Sequence, residues 1–140
     1  MNMKHSLALL FLFLGALISQ IHALSTYPIA NEELRFESAR IHLSGKPNQV
    51  AVYSKGLVCS SCGIGLRIHI SKIEGIDTTQ LDEGMLLDAK NQLVLIAFKD
   101  KYDSIVDKIF DAVDKAGYET SHYYQWDGQA VKLKTYKGKG

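Results

Sequence analysis

The two cysteines of this chain, Cys59 and Cys62, stand three positions apart in Lys55-Gly56-Leu57-Val58-Cys59-Ser60-Ser61-Cys62-Gly63-Ile64-Gly65-Leu66. An extended run, Gln49 to Ser54, leads in, and an apolar-periodic helix is expected to start at about Ser61. The thiols then fall on a loop and on a first helical turn. Free backbone N–H groups and the positive end of a helix dipole favour thiolate over thiol at such a place. Two chemistries use that arrangement, capture of a soft metal ion and thiol–disulfide exchange. A structural staple is a poor account, because a disulfide spanning three positions closes a tiny loop and stabilises little. Haem attachment is excluded, since Gly63 and not a histidine follows Cys62.

Two thiolates without further ligands suit Cu(I) or Hg(II), whereas structural zinc wants a closed set of four. The histidines that might complete a zinc set are His42, His69 and His122. His69 falls among core-facing helix positions and is read as a buried, hydrogen-bonded side chain, and His122 as an exposed or edge residue of the last strand. Met85, in Gly84-Met85-Leu86-Leu87, offers a soft thioether but is read as core filler. There is no Ser-His-Asp grouping with local support and no glycine-rich phosphate loop. The chain is therefore read as not an enzyme.

The elements that must position the thiols follow from hydropathy. At 140 residues there is room for one domain and little more. Lys4 and His5 precede an unbroken apolar run from Leu7 to Ile18, and Ile21-His22-Ala23 resembles a signal-peptidase site. Such a run is short for a membrane span and suits a signal peptide over residues 1–23, with an uncleaved anchor as the other reading. Removing it takes away Lys4 and no acid, leaving 15 basic and 15 acidic residues. That balance argues against nucleic-acid binding, which needs excess positive charge. The expected location is periplasmic or secreted.

Residues 24–48 form an arm of unclear structure. Asn31 is placed to cap a short helix over Glu32-Glu33-Leu34-Arg35-Phe36, and the same residues alternate nearly as well for a strand. Ser44-Gly45-Lys46-Pro47-Asn48 breaks the chain. Gln49 to Ser54 reads as a strand. A helix over Ser61 to Glu74 buries Leu66, Ile70 and Ile73, and Gly75 ends it. A strand region covers Ile76 to Leu87, interrupted near Asp82-Glu83-Gly84. Gln92 to Phe98 is almost wholly apolar, as suits a strand covered by helices. Asp100 then caps a helix in which Tyr102, Ile105, Val106, Ile109, Phe110 and Val113 share one face, and Gly117 closes it. Thr120 to Gln125 reads as the last strand. The basic tail, 127–140, carries Lys132, Lys134, Lys137 and Lys139 and is read as a solvated end, though Ala130 to Tyr136 has the pattern of an edge strand.

The order is strand, helix, strand, strand, helix, strand. This is the α+β, ferredoxin-like βαββαβ arrangement, a four-stranded antiparallel sheet with two helices on one face.

With that order, residues 49–126 resemble the heavy-metal-associated domain family of copper chaperones, metal-pump modules and periplasmic mercury-binding proteins. The family carries Gly-Met-Thr/His-Cys-x-x-Cys where the first strand meets the first helix, and Gly56-Leu57-Val58-Cys59-Ser60-Ser61-Cys62 fills those positions. Ala116-Gly117-Tyr118 matches the Ala-Gly-Tyr of bacterial members. The resemblance implies that Cys59 and Cys62 bind Cu(I) or Hg(II), with Gly56, Leu57 and Tyr118 around them. It implies a monomer that hands the ion to a metal-transporting membrane protein or another metal-binding protein, with no membrane contact after leader cleavage. The chain departs from the family pattern at Leu57, where a methionine is usual, and at Val58, where a hydroxyl or imidazole is usual. The stretch between Gly75 and the third strand is also longer.

The alternative is a periplasmic thiol–disulfide redox protein using the same Cys-x-x-Cys. Against it, thioredoxin-like proteins place a cis-proline after the motif, and Pro28 and Pro47 both precede it. Such proteins also usually carry an aromatic residue where this chain has Val58. A binding or sensory module whose cysteines rest as a disulfide is a third reading.

Overall fold

The computed structural model describes residues 30–99 and 105–137. The expected signal peptide over residues 1–23, the Asp100 cap, Tyr102 and Lys139 lie outside these residues. Among the described residues no helix is long and apolar enough to cross a membrane.

Helix α1 spans Glu32–Leu43, and its first turn is fixed by Asn31, whose side chain accepts the Leu34 N–H at 2.9 Å. Glu32 and Glu33 in the first turn, with Arg40 and His42 in the last, match the helix dipole. Within the ambiguous arm, Glu32–Leu43 is thus a helix and not a strand. Strand β1, Gln49–Tyr53, runs into the cysteine loop. A 3₁₀ turn, Ser60–Gly63, continues into helix α2, Ile64–Ile70. This helix is shorter than the pattern predicts. It ends at Ser71, and Gly75 adopts φ +100° in turns beyond the helix rather than capping it.

Strand β2 is only Met85–Asp88, and β3 is Leu93–Ala97. Ile76 joins the sheet only as an isolated bridge to Phe98, not as part of a longer strand. Between Ile76 and β2 the extra residues fold as a compact loop. The Asp77 carboxylate accepts from the Thr79 amide and hydroxyl and from Gln80, and Asp82 pairs with Arg67 of α2 at 2.8 Å. Helix α3, Val106–Lys115, leads to β4, His122–Trp126. The Asp127 carboxylate then accepts the Gln129 and Ala130 amides, both at 2.8 Å, and turns the chain into β5, Val131–Thr135.

All pairings are antiparallel, in the order β2-β3-β1-β4-β5. Among the described residues the fold is α+β with five strands and three helices, where the pattern predicts four strands and two helices. Two observations account for the difference. The alternating Val131-Lys132-Leu133-Lys134 segment pairs along β4 instead of trailing in solvent, and its lysines guard the sheet edge. Helix α1 buries the face of the sheet opposite α2 and α3. Val50, Val52, Val94 and Ile96 face Leu66, Ile70, Ile109 and Val113, whereas Ala51, Leu93, Leu95 and Tyr124 face Ala39 and Leu43. Every residue of β3 is buried because helices lie on both sides of it.

Candidate functional site

Cys59 and Cys62 form a disulfide, with Cα atoms 5.3 Å apart. The chain reaches them by a sharp departure from the sheet. Lys55 is held to Glu119 twice, by its amide to the Glu119 carbonyl at 2.8 Å and by an exposed salt bridge at 2.8 Å. That ion pair raises the Lys55 pKa and lowers that of Glu119, the hydrogen bond between them being the main cause. Gly56 then takes φ +93°, and Leu57 turns fully into the core. Leu57 is thus an apolar plug under the loop. Val58 is 63% exposed and contributes no polar atom to the sulfurs.

Cys59 caps the 3₁₀ turn. Its Sγ accepts the Cys62 amide at 3.2 Å, and the Ser61 hydroxyl lies 3.3 Å away. Ser61 is exposed, Cys59 is half-buried, and Cys62 packs against the apolar core. Two aspects of this corner were missed by pattern reading. Gly63 sits so close to β2 that a Cβ there would fall 1.9 Å from Leu87 Cδ1. The signal was present as a small residue beside a cysteine, but its packing partner lies 24 positions away and no local rule identifies it. Ser61, between the cysteines, was given no role.

Tyr118 reaches the site through a helix ending. Gly117, at φ +89°, gives its amide to Asp114 O at 2.8 Å, and the Tyr118 amide bonds to Val113 O at 3.2 Å. This is a Schellman closure, which only a residue tolerant of positive φ completes without strain. It turns Tyr118 back over the cysteine loop. The phenol donates to the Cys62 carbonyl at 2.5 Å, and the ring passes 3.9 Å from where a Gly56 Cβ would sit. The structure thus brings Cys59, Cys62, Gly56, Leu57 and Tyr118 together.

The histidines are placed elsewhere. His42 lies in the last turn of α1. His69, half-buried rather than buried, lines a groove with Lys72, Ile73, Lys108 and Asp111. His122 belongs to a polar cluster under α1 and is part-buried, neither an exposed nor a merely edge side chain. It stacks on Tyr53 at 4.8 Å and contacts the Tyr124 hydroxyl at 3.3 Å. Met85 is a core residue, 1% exposed. Among the described residues no group of three or more His, Cys, Asp or Glu side chains is arranged to hold a metal ion. The site offers two sulfur donors on an exposed loop, which suits two-coordinate soft ions and reversible disulfide chemistry alike. No protein family, curated protein or solved structure matches this chain.

Proposed function

We propose that the protein is an exported soft-metal carrier of the heavy-metal-associated type. Cys59 and Cys62, once reduced, hold one Cu(I) or Hg(II) ion and pass it to a metal-transporting membrane protein or another metal-binding protein. The observation that carries this reading is the placement of both sulfurs at one half-buried corner, braced from below by Leu57 and from the side by Tyr118. The bracing is a hydrogen bond to backbone and apolar packing, so reduction of the disulfide frees both sulfurs to act as ligands without removing these supports.

The topology supports the same reading. Without α1 and β5, the remaining elements run β1-α2-β2-β3-α3-β4 with sheet order β2-β3-β1-β4 and both helices on one face. We read that order as a ferredoxin-like pattern with one added helix and one added edge strand. A two-sulfur site leaves room for an incoming thiolate, so the ion is exchanged between ligands and never set free. The proposal includes no enzymatic step.

The disulfide itself favours a second reading, a thiol–disulfide redox protein. One experiment separates the two. The reduced protein is titrated with Cu(I), and separately with Hg(II), against a competing chelator, alongside Cys59→Ser. One tightly held equivalent, lost in the variant, is the result expected. No competition for either ion, combined with fast reduction of a test disulfide by the wild type, replaces the carrier with the redox protein.

A further inference from the structure

We infer that Ser61 is a positioning residue for the cysteine pair, one that stabilises Cys59 in its reduced, anionic form. The inference deepens the proposed function, because it rests on the pair working as a dithiolate. Its geometry is direct. Ser61 Oγ lies 3.3 Å from Cys59 Sγ. A disulfide sulfur carries no proton, so the hydroxyl is the donor. The Cys62 amide donates to the same sulfur at 3.2 Å. Cys59 thus receives two hydrogen bonds from its own loop.

Hydrogen bonds to an anion are roughly twice as strong as those between neutral groups. The Ser61 contact therefore stabilises the open pair more than the disulfide. In the balanced reaction a dithiol reductant supplies two electrons, the Cys59–Cys62 bond breaks, and the reductant closes its own disulfide. Both protein sulfurs leave as thiolates, and the two protons of the reductant go to solvent. The charge left on Cys59 is the charge that Ser61 faces. The hydroxyl also stands in for what the loop lacks at Val58, which projects 63% exposed and offers no donor. Here the donor comes from inside the Cys-x-x-Cys rather than from the residue before it.

Ser61 is exposed, so its replacement leaves the core intact. The test equilibrates the full chain with reduced and oxidised dithiothreitol at fixed pH, in the presence of chelator. The fraction of disulfide is read for wild type, Ser61→Ala and Ser61→Thr. Ser61→Ala is expected to shift the equilibrium three- to tenfold toward the disulfide, a tenfold change corresponding to about 30 mV. Ser61→Thr, which keeps the hydroxyl, is expected to restore most of the wild-type value. An unchanged equilibrium in Ser61→Ala overturns the inference. So does a Ser61→Thr protein that behaves like Ser61→Ala, which would assign the effect to packing. No metal enters the measurement, so a failed metal titration and a failed redox shift are independent results.

Discussion

The two faces of the sheet are covered in different ways. On the front, α2 and α3 meet the sheet through large apolar side chains: Leu66, Ile70, Ile109, Phe110 and Val113 meet Val50, Val52, Val94 and Ile96. On the back, α1 contributes few large apolar groups, with Leu34 and Ile41 pointing to solvent and only Ala39 and Leu43 fully buried. Beside Phe36, which packs edge-on to Tyr124 at 6.1 Å, its hold on the sheet is largely polar. Arg35, 5% exposed, donates to the carbonyls of Ala30 and Asn91 and to Glu32, and its guanidinium lies 4.2 Å above the Tyr53 ring. Tyr124 donates to the Glu32 carboxylate, and Ser38 to Asp88 at 2.6 Å. The front is a general solvent-excluding layer that presents a loop. The back is a clasp built from specific partners, each of which must be present.

The largest effect is expected where the clasp has its single buried cation. Arg35→Met keeps the stem's apolar volume but strips two carbonyls of a donor and breaks the ion pair with Glu32. Hydrogen bonds to charged groups contribute about 1.5–3 kcal/mol each, and partial solvation of the freed groups offsets part of the loss. A net destabilisation of about 3 kcal/mol is expected in urea unfolding. If the back face were held by Ala39 and Leu43 alone, the cost would stay below about 1 kcal/mol and the contrast between the faces would fail.

On the front, the matching test is Gly63→Ala. The added methyl collides with Leu87, and overpacking of this kind costs about 1–3 kcal/mol. Leu87→Ala in the same chain is expected to remove most of that cost, because it removes the colliding atoms. A pair of variants whose effects simply add would show that Gly63 is required for its backbone rather than for the approach of β2.

The same contrast explains what was readable beforehand. Front-face helices announce themselves by period. Ile105, Ile109, Phe110 and Val113 recur at the spacing of one helical stripe and occupy one layer. Cys59 and Cys62 were legible from local sequence, and Gly117 was legible as a helix ending. The clasp was not, because its partners are scattered. Glu32, Tyr53, Asn91, His122 and Tyr124 belong to four separate stretches, and no period links them. Helix α1 itself has so weak a stripe that a strand fitted the pattern nearly as well, and the Asn31 cap settles it. The shortened α2 is a similar case. Its apolar pattern continues to Ile73, but the chain turns away after Ile70 through a bond from the Ile73 amide to Ile70 O. Ile73 still packs on the core, from a turn instead of a helix.

The smallest effect, and the sharpest probe of the clasp, is its response to acid. The side chain of His122 is 14% exposed, with Glu32 and Arg35 of α1, Tyr53 of β1, and Ser121 and Tyr124 of its own segment around it. Burial lowers its pKa from the ordinary 6.5; Glu32 opposes the shift and Arg35 adds to it. The folded protein therefore prefers the neutral ring, whereas the unfolded chain takes up a proton at the ordinary value. Stability is full above about pH 6.5 and falls as pH drops through that value toward the lowered one. His122→Phe keeps a ring to stack on Tyr53 and cannot titrate. Unfolding midpoints measured from pH 7 to pH 5 are expected to decline in the wild type and to decline less steeply in the variant. Equal slopes would mean that Glu32 compensates the imidazolium fully, and that the clasp tolerates a second cation beside Arg35.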